Sequence, residues 1–273
     1  ATLPAEVFFT TSTRGANDTT IVMNCGQLGA LSTTNLDGFI APATANMTAL
    51  DFDPAEHHGV ELVDTSVDPT FTVPSDASTT DYLFSIKDRD NTESWWVFDS
   101  LRGLTTYLSW DDTAKEPTSP DTTALSASTT TITMGASFAS SNYVVEWWRA
   151  GETSGSGVSN GDGDITTTVS TNATTLFSIV TYTGNGEDTQ SIGHNLGVVP
   201  EYFHIKRRDT AVAGWLGSHV GLTTPHAYRV TLNTTGVQQP DTDVWENEEF
   251  TDEIITFEPT SSLNATDNTY VGY

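Results

Sequence analysis

The chain has 273 residues, 10 Lys and Arg against 36 Asp and Glu, a formal net charge of -26 and a pI near 4.1. Such a surface repels phosphate backbones and acidic headgroups, which excludes sequence-independent nucleic-acid binding and adhesion to anionic membranes. A single cysteine, Cys25, excludes an internal disulfide or a Cys-based metal site, and no run of 18 apolar residues offers membrane insertion.

Thr, Val, Tyr, Phe and Trp favour pleated backbone, and the helix formers never recur at 3.6-residue spacing, so the class is all-β. In chain order, residues 1–59 read as an extended N-terminal segment for anchoring or assembly. It holds strand-like pieces at Val7-Phe-Phe9 and Ile21-Val-Met23 but too little apolar mass for a core of its own. Then an internal repeat begins. Tyr82-Leu-Phe-Ser-Ile-Lys-Asp-Arg-Asp90 returns as Tyr202-Phe-His-Ile-Lys-Arg-Arg-Asp209, each strand followed by tryptophan, Trp95-Trp96 and Trp215. Gly103-Leu-Thr-Thr106 returns as Gly221-Leu-Thr-Thr224, and Tyr107 as Tyr228. Ile132 and Met134 return as Ile255 and Phe257, and the closing Tyr143-Val144 as Tyr270-Val271. Upstream, Val60-Glu-Leu-Val63 matches Phe177-Ser-Ile-Val180. Self-similarity in this order predicts two copies of one unit, residues 60–150 and 176–273, joined by a Gly/Ser/Thr/Asp-rich linker, 151–175, with room for one strand. Short strands between Gly, Asn and Asp turns predict tandem β-sandwich, jelly-roll-like domains.

The second copy and the segment before it carry a family likeness. Asn160-Gly-Asp-Gly-Asp-Ile165, Thr175-Leu-Phe-Ser-Ile-Val-Thr-Tyr-Thr-Gly-Asn-Gly186, Ile192-Gly-His-Asn-Leu-Gly-Val-Val-Pro200 and Ile205-Lys-Arg-Arg-Asp209 resemble a duplicated β-module of uncharacterised virion structural proteins of tailed viruses, frequent in marine phages. Asn24-Cys-Gly-Gln27 and Leu31-Ser-Thr-Thr-Asn-Leu36 resemble the segment that precedes the first copy there. The resemblance implies a tail, tail-fibre or capsid-surface component on the virion exterior, and it brings no catalytic residues. Scarce lysine and abundant carboxylate suit a bacteriophage or archaeal virus of a marine or halophilic host, where salt screens the repulsion.

Four constellations compete for function. The basic strand ends, Lys87 with Arg89 and Lys206-Arg207-Arg208, suit anionic glycan or phosphate, but their recurrence points to neutralising nearby carboxylates. In Trp95-Trp96 and Trp147-Trp148, neighbours on a strand face opposite ways. One of each pair is core, and the other, with Trp215, is a candidate subunit contact or glycan platform. Asn160, Asp162 and Asp164 alternate like a calcium loop but lack its glycine and twelfth-position glutamate, which leaves at most a weakly bound Ca or Mg ion and no cofactor. The histidines His57, His58, His194, His204, His219 and His226 lack zinc-site spacing, and no Gly-x-Ser-x-Gly elbow is present. The expected function is therefore non-enzymatic: a virion-exterior homo-oligomer that docks on other virion proteins. The alternatives are a fibre adhesin for host surface glycans and, third, a fibre-borne polysaccharide depolymerase whose carboxylate pair spacing alone cannot reveal.

Overall fold

The computed structural model describes residues 52–273 except 152–156, 212–213, 241–243, 246–247 and 259–261. The pieces at Val7–Phe9 and Ile21–Met23, and the rest of the anchoring segment before Phe52, lie outside the described residues. Phe52–Tyr273 is one compact unit.

Its first half holds β1 (His58–Asp64), β2 (Thr70–Thr72), β3 (Tyr82–Asp88), β4 (Trp96–Asp99), β5 (Gly103–Leu108), β6 (Leu125–Ser128), β7 (Thr131–Met134) and β8 (Asn142–Arg149). A large sheet runs β1-β8-β3-β4-β5 and a small one β2-β7-β6. The pairing is antiparallel and nested, β1 with β8 and β2 with β7, the wrap of a jelly roll. Alternation does the rest. Tyr82, Phe84, Ile86, Phe98, Tyr143, Val145 and Trp147 point to one face of the large sheet and close on Phe71, Leu125, Ile132 and Met134 of the small sheet. Gly59 is required where Trp147 lies across it, since a Cβ there would meet the indole at 2.4 Å.

The second half repeats the wrap with β9 (Val158–Asn160), β10 (Thr167–Asn172), β11 (Phe177–Thr183), β12 (Gln190–Gly193), β13 (Tyr202–Arg207), β14 (Leu216–His219), β15 (Tyr228–Thr231), β16 (Gln239–Pro240), β17 (Ile254–Phe257) and β18 (Thr269–Gly272). Its large sheet contains β11-β18-β13-β14-β15, the order of β1-β8-β3-β4-β5 strand for strand, and its small sheet is β12-β17. Val180, Tyr182, Phe203, Ile205, Leu216 and Tyr270 form the core with Ile192, Ile255 and Phe257. The Gly/Ser/Thr/Asp-rich stretch supplies β9 and β10, which extend this sheet past β11. The alternation of Thr167, Val169 and Thr171, with Val169 buried, makes that strand.

The registers correct one match. Ile86 pairs with Val145 and Ile205 with Gly272, so Tyr143 and Tyr270 are equivalent, as expected. Glu61 pairs with Val145 and Val180 with Gly272, so Glu61 matches Val180 and Val60 is the equivalent of Ile179, two residues beyond the sequence match. A slip of two keeps every side chain on its face, so patterning alone cannot detect it.

The other faces of the two large sheets meet each other. Leu83, Val97, Leu108 and Ala150 of the first copy pack on Ile179, Trp215 and Val271 of the second. This explains β3, where five consecutive residues are buried rather than every second one.

Candidate functional site

The junction between the copies concentrates the polar chemistry. Arg102 follows β4 in a turn that Gly103 completes with φ +93°. Its side chain is fully shielded, and Nε lies 2.5 Å from Asp99 Oδ2. Its terminal nitrogens donate to Glu116 Oε1 at 2.9 Å, Val97 O at 3.0 Å and Tyr273 Oη at 3.0 Å. Tyr273 Oη donates in turn to Asp99 Oδ2 at 2.6 Å. Burial opposes the charge on Arg102, but Asp99, Tyr273 and Glu116 outweigh it and hold the guanidinium's pKa above its ordinary value. Sequence reading missed this group. Its signal was Asp99-x-x-Arg102, one of few cations set between two apolar strands.

Two of the basic strand-end residues are absorbed by the same junction. Lys206 is buried at 0% exposure and donates Nζ to Thr113 O at 3.1 Å, and Arg208 Nε meets Glu116 Oε1 at 2.7 Å. Burial pushes the Lys206 ammonium down to about 8, against the pull of Asp112. Arg207 binds Asp209 Oδ1 at 3.0 Å and Asn268, while Lys87 donates to the Glu93 carbonyl and Arg89 is exposed. Four of the five therefore brace carboxylates or carbonyls.

The tryptophan reading needs correction. Trp147 and Trp215 are 4% and 0% exposed and cannot serve as surface contacts. Trp96 packs on the first core, and Trp95 and Trp148 pack half-buried on the layer between the large sheets. The outward tryptophans, candidates for a subunit contact or glycan platform, pack instead on the layer between the two copies of the same chain.

The cation candidates are bonded within the protein. Asp164 Oδ2 accepts from Ser191 N at 3.1 Å and Oγ at 2.7 Å, and Asn160 Nδ2 donates to Asp162 at 2.6 Å. These oxygens serve protein donors. Among the described residues no cluster of three His, Cys, Asp or Glu is placed to hold a metal ion. His194 accepts from Leu196 N on Nδ1 and donates Nε2 to Thr251 O, both at 3.2 Å, which fixes its tautomer.

One open cleft of about 840 Å³ lies at the junction. The first copy contributes Trp95, Trp110 and Asp111. The second contributes His204 and the turn after β15, Leu232 to Thr235. Trp110 is held by its Nε1 bond to Ser85 Oγ at 2.8 Å and by packing on Trp215 with ring centroids 4.6 Å apart. Trp215 Nε1 donates to Ser109 O at 2.6 Å. His204, 8% exposed, stands among Trp110, Trp215 and Tyr273 with neither ring nitrogen hydrogen-bonded, and burial lowers its pKa to about 3. A second cleft of about 500 Å³ shares Trp95 and adds Trp96, Tyr107 and Glu93. Such an arrangement offers ring faces beside hydrogen-bonding side chains, the carboxylates of Asp111 and Glu93 among them, the makings of a binding site.

A family profile described as a domain of unknown function, DUF7483, matches residues 53–273, the whole tandem unit. The chain belongs to the DUF7483 family. No curated protein and no solved structure matches it. The DUF7483 match spans both copies, the strands β9 and β10 between them and every residue of the junction and cleft.

Proposed function

We propose that this DUF7483 protein is a non-enzymatic structural component of the exterior of a tailed-virus virion, acting by self-association and by docking on other virion proteins. The family likeness of the 160–209 segment supports the setting. The observation that supports the mode of action is an asymmetry between equivalent residues. Ile179 is 0% exposed because the first copy covers it, whereas its counterpart Val60 is 55% exposed and Leu62, on the same face, 68%. Opposite Leu62 stands Val144, half-buried, so the outer face of β1 and β8 carries an apolar strip. Exposed apolar strips of this kind mark association surfaces. In a chain of net charge -26, association is further favoured by the high salt of a marine or halophilic setting.

Two measurements test the reading. Fractionated virions should contain the chain in fixed copy number, and the purified protein in molar salt should run as a closed oligomer by light scattering. Absence from virions sinks the setting; a monomer at all salt concentrations sinks self-association.

A further inference from the structure

The cleft has an origin in the duplication. Val97 pairs with Leu108 in the first copy, which sets Trp95 opposite Trp110. Leu216 pairs with Thr231 in the second, which sets Trp215 opposite Leu232. Ile86 pairs with Trp96 and Ile205 with Leu216, so Trp95 is the counterpart of Trp215 and Leu232 the counterpart of Trp110. The two halves of the junction are filled differently. Over Trp215 lies the large Trp110, and Trp215 is sealed. On the matched side the smaller Leu232, 43% exposed, leaves Trp95 facing open space. A leucine in place of a second tryptophan leaves this side of the cleft open beside Trp95.

We propose that this cleft binds a neutral saccharide chain, with the Trp95 indole stacked on a pyranose face and Asp111, Asn233 and Thr234 bonded to its hydroxyls. Three observations carry the assignment, none of which depends on where the protein resides. First, the lining combines flat rings with short acceptors and donors, and a pyranose presents the complement, an apolar C–H face rimmed by hydroxyls. Second, the polar groups are prepared. Asn233 Oδ1 is engaged by Trp215 N at 3.1 Å and Gly214 packs on its amide, which leaves Nδ2 as the group without a bond among the described residues. Asp111 Oδ1 is steadied by Trp95 N at 3.3 Å, and His204 at the floor is a nine-tenths-buried side chain whose two ring nitrogens lack partners. Third, no Lys or Arg lines the cleft and the chain carries 36 acidic residues, so anionic polysaccharides are repelled from it.

The test is titration calorimetry of the full chain with maltohexaose, cellohexaose, laminarihexaose and mannohexaose, with alginate and heparin as acidic arms. At least one neutral oligosaccharide should bind with a dissociation constant below about 10 mM, the weak end of measurable affinity. Trp95→Ala should weaken it about tenfold or more, consistent with loss of an aromatic anchor. Leu232→Trp installs the residue of the matched half. It should abolish binding while leaving the melting temperature unchanged or higher, which separates occlusion from misfolding. Binding of acidic polymers alone, no binding by any neutral probe, or undiminished binding by a folded Leu232→Trp variant overturns the proposal.

Discussion

Arg102 illustrates what a scarce cation does in an acidic chain. Its side chain and that of Asp99 are both fully shielded, and its three nitrogens donate to Asp99, Glu116 and Val97 of its own copy and to Tyr273 across the junction. Breaking one partner of such a pair strands the other charge, so Arg102→Met should cost about 3–5 kcal/mol, read as a lower urea midpoint at unchanged slope. A loss below about 1 kcal/mol would mean that water reaches Asp99 after all. His204 gives a residue-scale pH dependence. Its folded pKa, about 3, lies below its unfolded value, so the unfolded chain binds the extra proton between about pH 6.5 and 3. The stability tied to its neutrality is therefore full above pH 6.5 and falls as pH is lowered through that window, by up to about 1.4 kcal/mol per unit. His194, also lowered by burial, acts in the same direction. Chemical denaturation of His204→Phe between pH 7 and 4 should show a visibly shallower decline than the parent; an unchanged slope would place the imidazole in water. Asp88 acts lower on the scale. Burial would raise it, but bonds from Asn91, Ser141 and the backbone of Asp90 and Asn91 hold it at about 2, so its contribution fades only as pH falls from its unfolded value toward 2.

At the scale of elements, β1 and β11 are the informative pair. Both are the first strand of a copy, but β11 is flanked by β10 and covered at Ile179, while among the described residues no strand lies beyond β1. If the β1 strip is the association surface, Leu62→Asp should lower the oligomeric mass measured by light scattering and leave the melting temperature within a few degrees. The changed side chain is exposed and outside any core, where substitutions move stability little. An unchanged mass would remove this strip from the interface. The strands were legible from patterning: Tyr82–Asp88 with Tyr202–Arg207, Ile132 with Ile255, Tyr143 with Tyr270. The pairing of β1 was legible only to within two residues, because a two-residue slip leaves each face unchanged. Of β9 and β10 only one strand was legible, because Gly, Ser and Thr serve loops and Thr-rich strands alike.

At the scale of the molecule, charge is the governing number. With a net charge of -26, self-repulsion opposes the compact state, and salt shortens its range from about 10 Å at 0.1 M to about 3 Å at 1 M. Raising NaCl from about 0.1 M to 2 M should therefore raise the melting temperature by about 5 °C or more, followed by circular dichroism. A flat or falling curve would show that the acidic surface is not adapted to salt. The melting should be one transition, since the layer joining the copies, Trp215 and Val271 against Leu83 and Val97, is as buried as the core of either.

The residues by themselves determined the all-β class, the repeated strand–turn order and which side chains alternate, because these follow from backbone preference and a period of two. They left the meaning of the alternate face open, because period two states that a side chain leaves one core and not what it meets next. Only the tertiary structure decided that. It turned the faces of the two large sheets onto each other, and so converted Trp215, Lys206 and Arg208 from candidate surface sites into a junction. It also placed Trp110 and Leu232, 122 residues apart by the difference of their numbers, on matched sides of that junction. The smaller Leu232 leaves Trp95 uncovered on its side of the cleft, and no local pattern encodes a difference that exists only when two distant strands face each other.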